Sequence, residues 1–314
     1  MKLSVIIPTY NRATLLADCI ESLCKQDLQS CDFEILIVDN NSRDNTRNVV
    51  ETSVVAYPKN RIRYILEVRQ GDFFARNRGA EEAQGKYLVF TDDDAVFDSN
   101  YLSTILYLFE RYPDVGAVGT KITIKWEGGN PASWIKPYEY LLGALDYEPK
   151  GFMINTYGLY LNNGSLAIKR DTYISVGGNN PGQIGDYLIG DAEAGLCRKL
   201  HQRRIAIAFT DTTKMYHRQY VGKHDTIADI RRRVENNGIS EAYTDVFINH
   251  LPMPKPTFKL FVSYIYYMLT MRKRKSIRAF LGYCQYKKYN DYIDLYQHDK
   301  KLIQMISQTK YKWE

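Results

Sequence analysis

Short apolar runs that stop at polar clusters recur along the first part of the chain. Leu3-Ser4-Val5-Ile6-Ile7 reads as a β-branched strand ended by Pro8 and followed by the polar turn Thr9-Tyr10-Asn11-Arg12. A second run, Phe33 to Val38, stops at Asp39-Asn40-Asn41-Ser42, and a third, Tyr87 to Thr91, runs into the consecutive carboxylates Asp92, Asp93 and Asp94. Between the first two, Leu15, Leu16, Cys19, Ile20 and Leu23 fall at helical spacing and predict a helix over 14–24, with another beginning over 44–50. Strand alternating with helix predicts a parallel α/β sheet. Ligands of such sheets bind beyond the carboxyl ends of the strands, so Thr9, Asp39 and the acidic triplet are expected to face one crevice.

Three unpaired acids at a strand end repel one another unless a cation sits among them. Hard divalent ions such as Mg²⁺, Mn²⁺ or Ca²⁺ take carboxylate oxygens, and Mg²⁺ is often shared with substrate phosphates. The competing reading makes the triplet a cap for the helix predicted to begin near Asn100.

Further along, Gly177-Gly178-Asn179-Asn180-Pro181-Gly182-Gln183-Ile184-Gly185-Asp186 is dense in turn formers. That composition predicts an irregular, mobile loop, either a lid over a ligand or an ordinary surface loop. Ile189-Gly190-Asp191-Ala192-Glu193 then opens a helix through Leu196, Cys197 and Leu200, and Ile205 to Phe209 forms a strand ahead of Met215-Tyr216-His217-Arg218.

At 314 residues and 45% hydrophobic content the chain holds one α/β domain with a decorated second half. Its five cysteines show no metal-ligand spacing and, with no apolar leader after Met1, read as reduced thiols of a cytoplasmic protein. The net charge of +6 is unevenly spread. From Leu251 onward thirteen Lys or Arg face four Asp or Glu, a balance of +9, which leaves −3 for the preceding 250 residues. After the linker-like Leu251-Pro252-Met253-Pro254-Lys255-Pro256, the apolar segment from Phe258 to Met271 abuts Arg272-Lys273-Arg274-Lys275. Fourteen residues are too few to span a bilayer, which needs about 20. Two readings remain: a helix in the interface of an anionic membrane, or one packed on its own domain with a solvated basic end. Nucleic-acid binding is set aside because no recognition motif accompanies the basic residues.

Four segments in order, Val5-Ile6-Ile7-Pro8-Thr9-Tyr10-Asn11-Arg12, Ile37-Val38-Asp39-Asn40-Asn41-Ser42, Ala75-Arg76-Asn77-Arg78-Gly79 and Phe90-Thr91-Asp92-Asp93-Asp94, resemble the family 2 glycosyltransferases over roughly residues 3 to 220. The resemblance implies the GT-A fold, a Rossmann-like and mostly parallel sheet flanked by helices, here with a C-terminal helical extension. It divides the chain into a transferase domain at 1–220, with a nucleotide-binding half (1–120) and an acceptor half (121–220), and the extension at 221–314.

By that resemblance the donor is a nucleotide sugar, UDP-linked in expectation, bound with Mn²⁺ or Mg²⁺. Pro8, Thr9, Tyr10, Arg12, Asp39 and Asn41 lie where the family holds the nucleotide, with Arg69 or Arg76 nearby. Asp92 or Asp93 falls toward the ribose, and Asp94 on the metal. Asn40 stands where many members carry a second acid. Asn163, Gly164 and Ser165 match the segment beside the donor sugar and acceptor, and Glu193 is expected near it. Trp134, like Trp126 in the irregular segment 125–149, is a candidate sugar platform or a packing residue.

Displacement at an anomeric carbon needs a base for the acceptor hydroxyl. Asp191 takes that family position, with Gly190 replacing the usual preceding acid and Glu193 as the fallback. The alternative makes Asp191 only a helix cap. His217 sits where many members place a histidine near the metal or diphosphate, whereas His201, His224, His250 and His298 have no such context. The expected acceptor is a saccharide, free or on a lipid carrier at the inner membrane face, with peripheral membrane contact through the tail. A nucleotidyltransferase and an inactive sugar-nucleotide-binding protein are the alternatives. The first lacks its glycine-rich phosphate loop, and the second sits badly with intact Asp94 and Asp191.

Overall fold

Continuous apolar runs suit strands buried on both faces, and they form the middle of the sheet here. The computed structural model describes residues 1–148, 151–155 and 157–308. In chain order the elements are β1 (Leu3–Thr9), α1 (Ala13–Cys24), β2 (Phe33–Asp39), α2 (Thr46–Ala56), β3 (Arg61–Leu66), α3 (Asp72–Glu82), β4 (Tyr87–Thr91), β5 (Ala95–Phe97), α4 (Tyr101–Arg111) and β6 (Val115–Glu127). A 3₁₀ turn (Lys136–Leu142) precedes β7 (Phe152–Asn155), β8 (Ser165–Lys169), α5 (Arg170–Ser175), β9 (Gln183–Ile184), β10 (Tyr187–Leu188), α6 (Ala192–Gln202) and β11 (Ala206–Tyr220). Then come α7 (Ile227–Tyr243), α8 (Thr257–Leu269), α9 (Lys273–His298) and α10 (Lys300–Gln308).

The main sheet has the order β3-β2-β1-β4-β8-β6-β11-β5, with β7 added on β11. Strands β3, β2, β1, β4, β6 and β11 run one way, and β8, β5 and β7 run the other. Alternation along each strand feeds two cores. Val5 and Ile7 join Leu16, Ile20, Leu102 and Phe109 of α1 and α4 on one face, while Ile6 and Val38 join Ala75, Ala80 and Leu196 of α3 and α6 on the other. Gly79 lets α3 lie directly on the sheet, since a Cβ there would come within 2.4 Å of Ile6 Cγ2.

Strand β11 slips register on β6 between Thr210 and Lys214, and it also pairs with β7 before the slip and with β5 after it. Its antiparallel register sets His217 opposite Ala95, the residue after the acidic triplet. A long-range pairing therefore brings the late histidine to the early acids.

The glycine-rich segment is not a free lid in this structure. Gly177 to Pro181 are buried, and β9 and β10 form a small hairpin that docks on the C-terminal helices. Ser240 Oγ donates to the Gly190 carbonyl (2.7 Å), and the Tyr296 hydroxyl donates to that of Leu188 (3.0 Å). A third hydroxyl, from Tyr187, donates to Asp299 Oδ2 (3.1 Å). Helices α7 and α9 also enclose the 3₁₀ turn through Ile135, Leu142, Val234, Ile277 and Leu281. The cysteines are free, with Cys19, Cys197 and Cys284 buried. No helix among the described residues is long and apolar enough to cross a membrane.

Candidate active site

The carboxyl ends of β1 and β4, the head of α3 and the end of β11 surround a crevice of about 530 Å³. Pro8, Thr9, Tyr10 and Arg12 line it from β1, and Asp92, Asp93 and Asp94 line it from β4. The acids cap no helix, because β5 intervenes before α4. Each has its own partners instead. Thr9 Oγ1 donates to Asp93 Oδ2 (2.7 Å), and Arg12 Nη1 lies between Asp93 Oδ1 (3.0 Å) and Asp94 Oδ2 (2.9 Å). Burial pushes Asp93 up to about 6 against the opposing pull of Arg12 and Thr9, with the neighbouring Asp94 adding to the rise.

Arg76 rather than Arg69 serves the acids. Its guanidinium is buried and donates to Asp92 Oδ1 (2.6 Å), Asp72 Oδ2 (2.7 Å) and the Asn163 carbonyl (3.2 Å). Arg69 instead closes a bidentate pair on Glu67 at 2.8 Å and lies over the Phe74 ring, away from the crevice wall.

Asp92, Asp94 and His217 each present a ligand atom within 4.8 Å of the others. His217 Nδ1 donates to the Leu142 carbonyl (2.7 Å), which fixes the ring and aims Nε2 at the acids. That nitrogen lies 3.0 Å from Asp94 Oδ1 without hydrogen-bond alignment, and Oδ1 has no hydrogen-bond partner despite its burial. Burial opposes charge on His217, yet the adjacent Asp94 outweighs it and lifts the ring to about 9. The residues fit a divalent cation: a buried carboxylate oxygen 3.0 Å from a fixed imidazole shares one small volume with a second carboxylate.

The remaining expected residues divide. Asp39 is buried behind the wall, accepting from the Ser42 amide (2.8 Å) and the Tyr64 hydroxyl (2.7 Å). Asn41 is exposed at positive φ and does not line the crevice. Asn40, the departure from the family pattern, lines the crevice and also braces it. Its Nδ2 donates to the carbonyls of Glu67 (3.0 Å) and Arg69 (2.7 Å), and its Oδ1 accepts from the Gly71 amide (2.8 Å), tying two loops together.

Gly164 packs beneath Asp92, and Asn163 is buried beside Asn179. Ser165 points inward, its Oγ sharing hydrogen bonds with Thr120 (2.6 Å) and the Tyr101 hydroxyl (2.9 Å), so it does not reach a ligand. Trp134 and Trp126 are half-buried, packed against the cluster that α7 and α9 form, and Trp126 Nε1 donates to Glu139 (3.3 Å).

Asp191 occupies the N-cap position of α6, but its side chain makes no cap. Oδ2 accepts from Asn180 (2.7 Å) and Oδ1 from Arg198 (2.8 Å), which holds the buried carboxylate in one orientation. Glu193 lies in the field of Arg76 and Asp92, and its acidity is weakened first by burial. Crevice residues that the sequence did not disclose are Gln70, Asp72, Gln219, His224 and Arg233. His224, which the sequence left without context, is brought in by the turn after β11, where its Nδ1 accepts from the Tyr220 amide (3.1 Å).

Comparison with known proteins agrees with this geometry. The description Glycosyl transferase family 2 matches residues 4–164, and the chain belongs to that family. Among curated relatives, the glucosyl-dolichyl phosphate glucuronosyltransferase of Haloferax volcanii is 25% identical over 213 residues, covering 65% of this chain and 64% of the relative. The GalNAc(5)-diNAcBac-PP-undecaprenol beta-1,3-glucosyltransferase of Campylobacter jejuni is 40% identical over 107 residues, 33% of each chain. The chain thus spans between one third and just under two thirds of these relatives. Among solved structures, the mannosyltransferase PcManGT of Pyrobaculum calidifontis, in complex with GDP-Man and Mn²⁺, superposes with a TM-score of 0.59 at 18% identity, covering 99% of this chain and 81% of that one. S. aureus TarS 1–349 does so with a TM-score of 0.53 at 16% identity, covering 96% and 92%. At such identities these structures speak for the fold alone, which is GT-A as expected.

Proposed function

We propose that the protein is an inverting, metal-dependent glycosyltransferase that moves a sugar from a nucleoside diphosphate donor, UDP first among the candidates, to a hydroxyl of a saccharide or lipid-linked saccharide. The observation that carries this reading is the convergence of Asp92, Asp94 and His217 on one small volume at the strand ends. Two carboxylates and an imidazole suit Mn²⁺ or Mg²⁺, the imidazole favouring Mn²⁺. When bound, the ion neutralises charge developing on the leaving diphosphate.

The chain's own residues do the rest. Arg76 fixes Asp92, and Leu142 fixes His217, so that the binding groups are oriented before the donor arrives. Thr9 orients Asp93 toward the nucleotide side of the crevice. Asp191, relieved of capping and held by Asn180 and Arg198, takes the proton of the acceptor hydroxyl as that oxygen attacks the anomeric carbon from the face opposite the diphosphate. Glu193 is the second reading for the base, favoured by its desolvation and its closeness to Arg76 and Asp92. Residues 1–220 form the transferase domain, with the nucleotide in 1–120 and the acceptor in 121–220. The extension is 221–314, of which 309–314 lie outside the described residues. The printed names of the two curated relatives, one naming a dolichyl phosphate and one an undecaprenol derivative, support an acceptor on a polyprenyl carrier.

A thermal-shift screen of nucleoside diphosphates and their sugars, with and without Mn²⁺, tests the reading, because a ligand specific to the native state raises the melting temperature. One nucleotide should stabilise the protein only when metal is present. With that donor, Asp191→Asn should retain binding while transfer falls by roughly 10² to 10⁴. Near wild-type transfer in that variant moves the base role to Glu193, and no metal-dependent shift with any nucleotide rejects the reading altogether.

A further inference from the structure

No residue of α8 is buried. Its inner side meets α9 through the ring pairs Phe261–Tyr283 and Tyr264–Phe280. Its outer side is apolar all the same. Phe258 (78% exposed), Val262, Tyr266 and Leu269 (74% exposed) recur at helical spacing and face solvent, and Met271, Leu251 and Met253 extend the patch at both ends. A stripe that would ordinarily fill a core is thus presented outward, and contiguous surfaces of this kind mark contact sites.

The charge beside the stripe says what covers it. No Asp or Glu occurs from Leu251 to Asn290. Lys259 and the run Arg272-Lys273-Arg274-Lys275 are exposed, and none of these four consecutive cations forms an ion pair among the described residues. A second copy of this chain seated across a two-fold axis would set cation against cation. An anionic bilayer meets both features at once, taking the apolar stripe into its interface and the cations at its headgroups. The tyrosines Tyr266 and Tyr267 suit that depth, and a helix of 13 residues is roughly 20 Å long, too short to span.

We infer that the outer face of α8, with the basic start of α9, docks the protein on an anionic membrane surface. The surface is mechanically joined to the crevice. Arg274 Nη2 donates to Ser133 Oγ (3.1 Å), and α7 and α9 enclose the 3₁₀ turn whose Leu142 carbonyl holds His217. The basic start of α9 is thus linked through the 3₁₀ turn to a residue of the crevice, and a role for docking in presenting the acceptor rests on the proposed lipid-linked acceptor.

Sedimentation of the full chain with phosphatidylcholine vesicles, with and without phosphatidylglycerol, at low and high salt tests the docking. Wild-type protein should pellet with the anionic vesicles and partition less as salt rises. The variant R272Q/K273Q/R274Q/K275Q should lose about fivefold in partition per residue, at least on the order of a hundredfold together. F258S/V262S/L269S should remove the salt-insensitive remainder. Both variants alter exposed positions and should keep the wild-type melting temperature. Wild-type protein left in the supernatant with anionic vesicles at low salt overturns the inference. So does a dimer, seen by light scattering, that F258S/V262S/L269S dissolves while vesicle binding is absent. Nucleoside diphosphate binding in the same samples reads the transferase proposal separately, so failure of one cannot be mistaken for failure of the other.

Discussion

Gly164→Ala would add one methyl group directly beneath the proposed metal site. Its Cβ would stand 2.7 Å from Asp92 Oδ2, 2.8 Å from Met215 Cε and 3.0 Å from Asn162 Oδ1. Met215 can swing aside, but Asp92 cannot turn freely, because Oδ1 is held at 2.6 Å by the buried Arg76. Regaining ordinary contact requires Asp92 to retreat by about 0.7 Å or to weaken that pair. Displacement of a catalytic group by ~1 Å lowers rates on the order of 10²-fold. Strain and the loosened, partly exposed ion pair should lower stability by only about 1–2 kcal/mol. The assay is metal-dependent donor turnover beside a thermal melt, with Gly182→Ala as control, since a Cβ there meets nothing within 4 Å. Turnover should collapse in the first variant and persist in the second. Wild-type turnover in Gly164→Ala, or equal damage in the control, would refute the claim that Asp92 is positioned from below by this close packing.

Two more expectations follow from the same contacts. Gly79→Ala forces a Cβ to within 2.4 Å of Ile6 and 3.1 Å of Val38, so urea unfolding should show a loss of about 2–3 kcal/mol, and an unchanged midpoint would mean that α3 does not press on β1 as described. Glu193→Gln removes a desolvated carboxylate near Arg76; if Asp191 is the base, transfer should fall less than tenfold, far less than in Asp191→Asn, whereas the reverse ranking would exchange the two roles.

Much of the nucleotide side was legible because it is local. An apolar run that ends in acids declares both a strand and the chemistry at its tip, so Thr9 at the end of β1 and Asp92 to Asp94 just past β4 meet at one crevice as expected, whereas Asp39 at the end of β2 is buried behind its wall. What could not be read depends on partners distant in sequence. Only the β11–β5 register brings His217 to Asp94, and only the following turn brings His224 into the crevice. Ser165 sits one residue past Gly164 and so points to the opposite side, into a hydroxyl cluster with Thr120 and Tyr101. Trp134 was open to two readings, and its partial packing against the cluster between α7 and α9 depends on residues far along the chain. Likewise the glycine-rich segment is buried at its start and leads into a hairpin whose flank, at Leu188 and Gly190, is held by Tyr296 and Ser240, residues 108 and 50 positions beyond their partners.

By the proposal above, Asp94 and His217, with Asp92, hold the cation that a nucleoside diphosphate shares. Calorimetric titration of Mn²⁺ into wild-type protein and Asp94→Asn, with and without the nucleotide chosen by the thermal screen, tests it most directly. Wild-type protein should bind Mn²⁺ more tightly when nucleotide is present, and the isosteric variant should lose that linkage while melting as a folded protein. Equal Mn²⁺ affinity in the two proteins, with nucleotide coupling intact, would contradict the account.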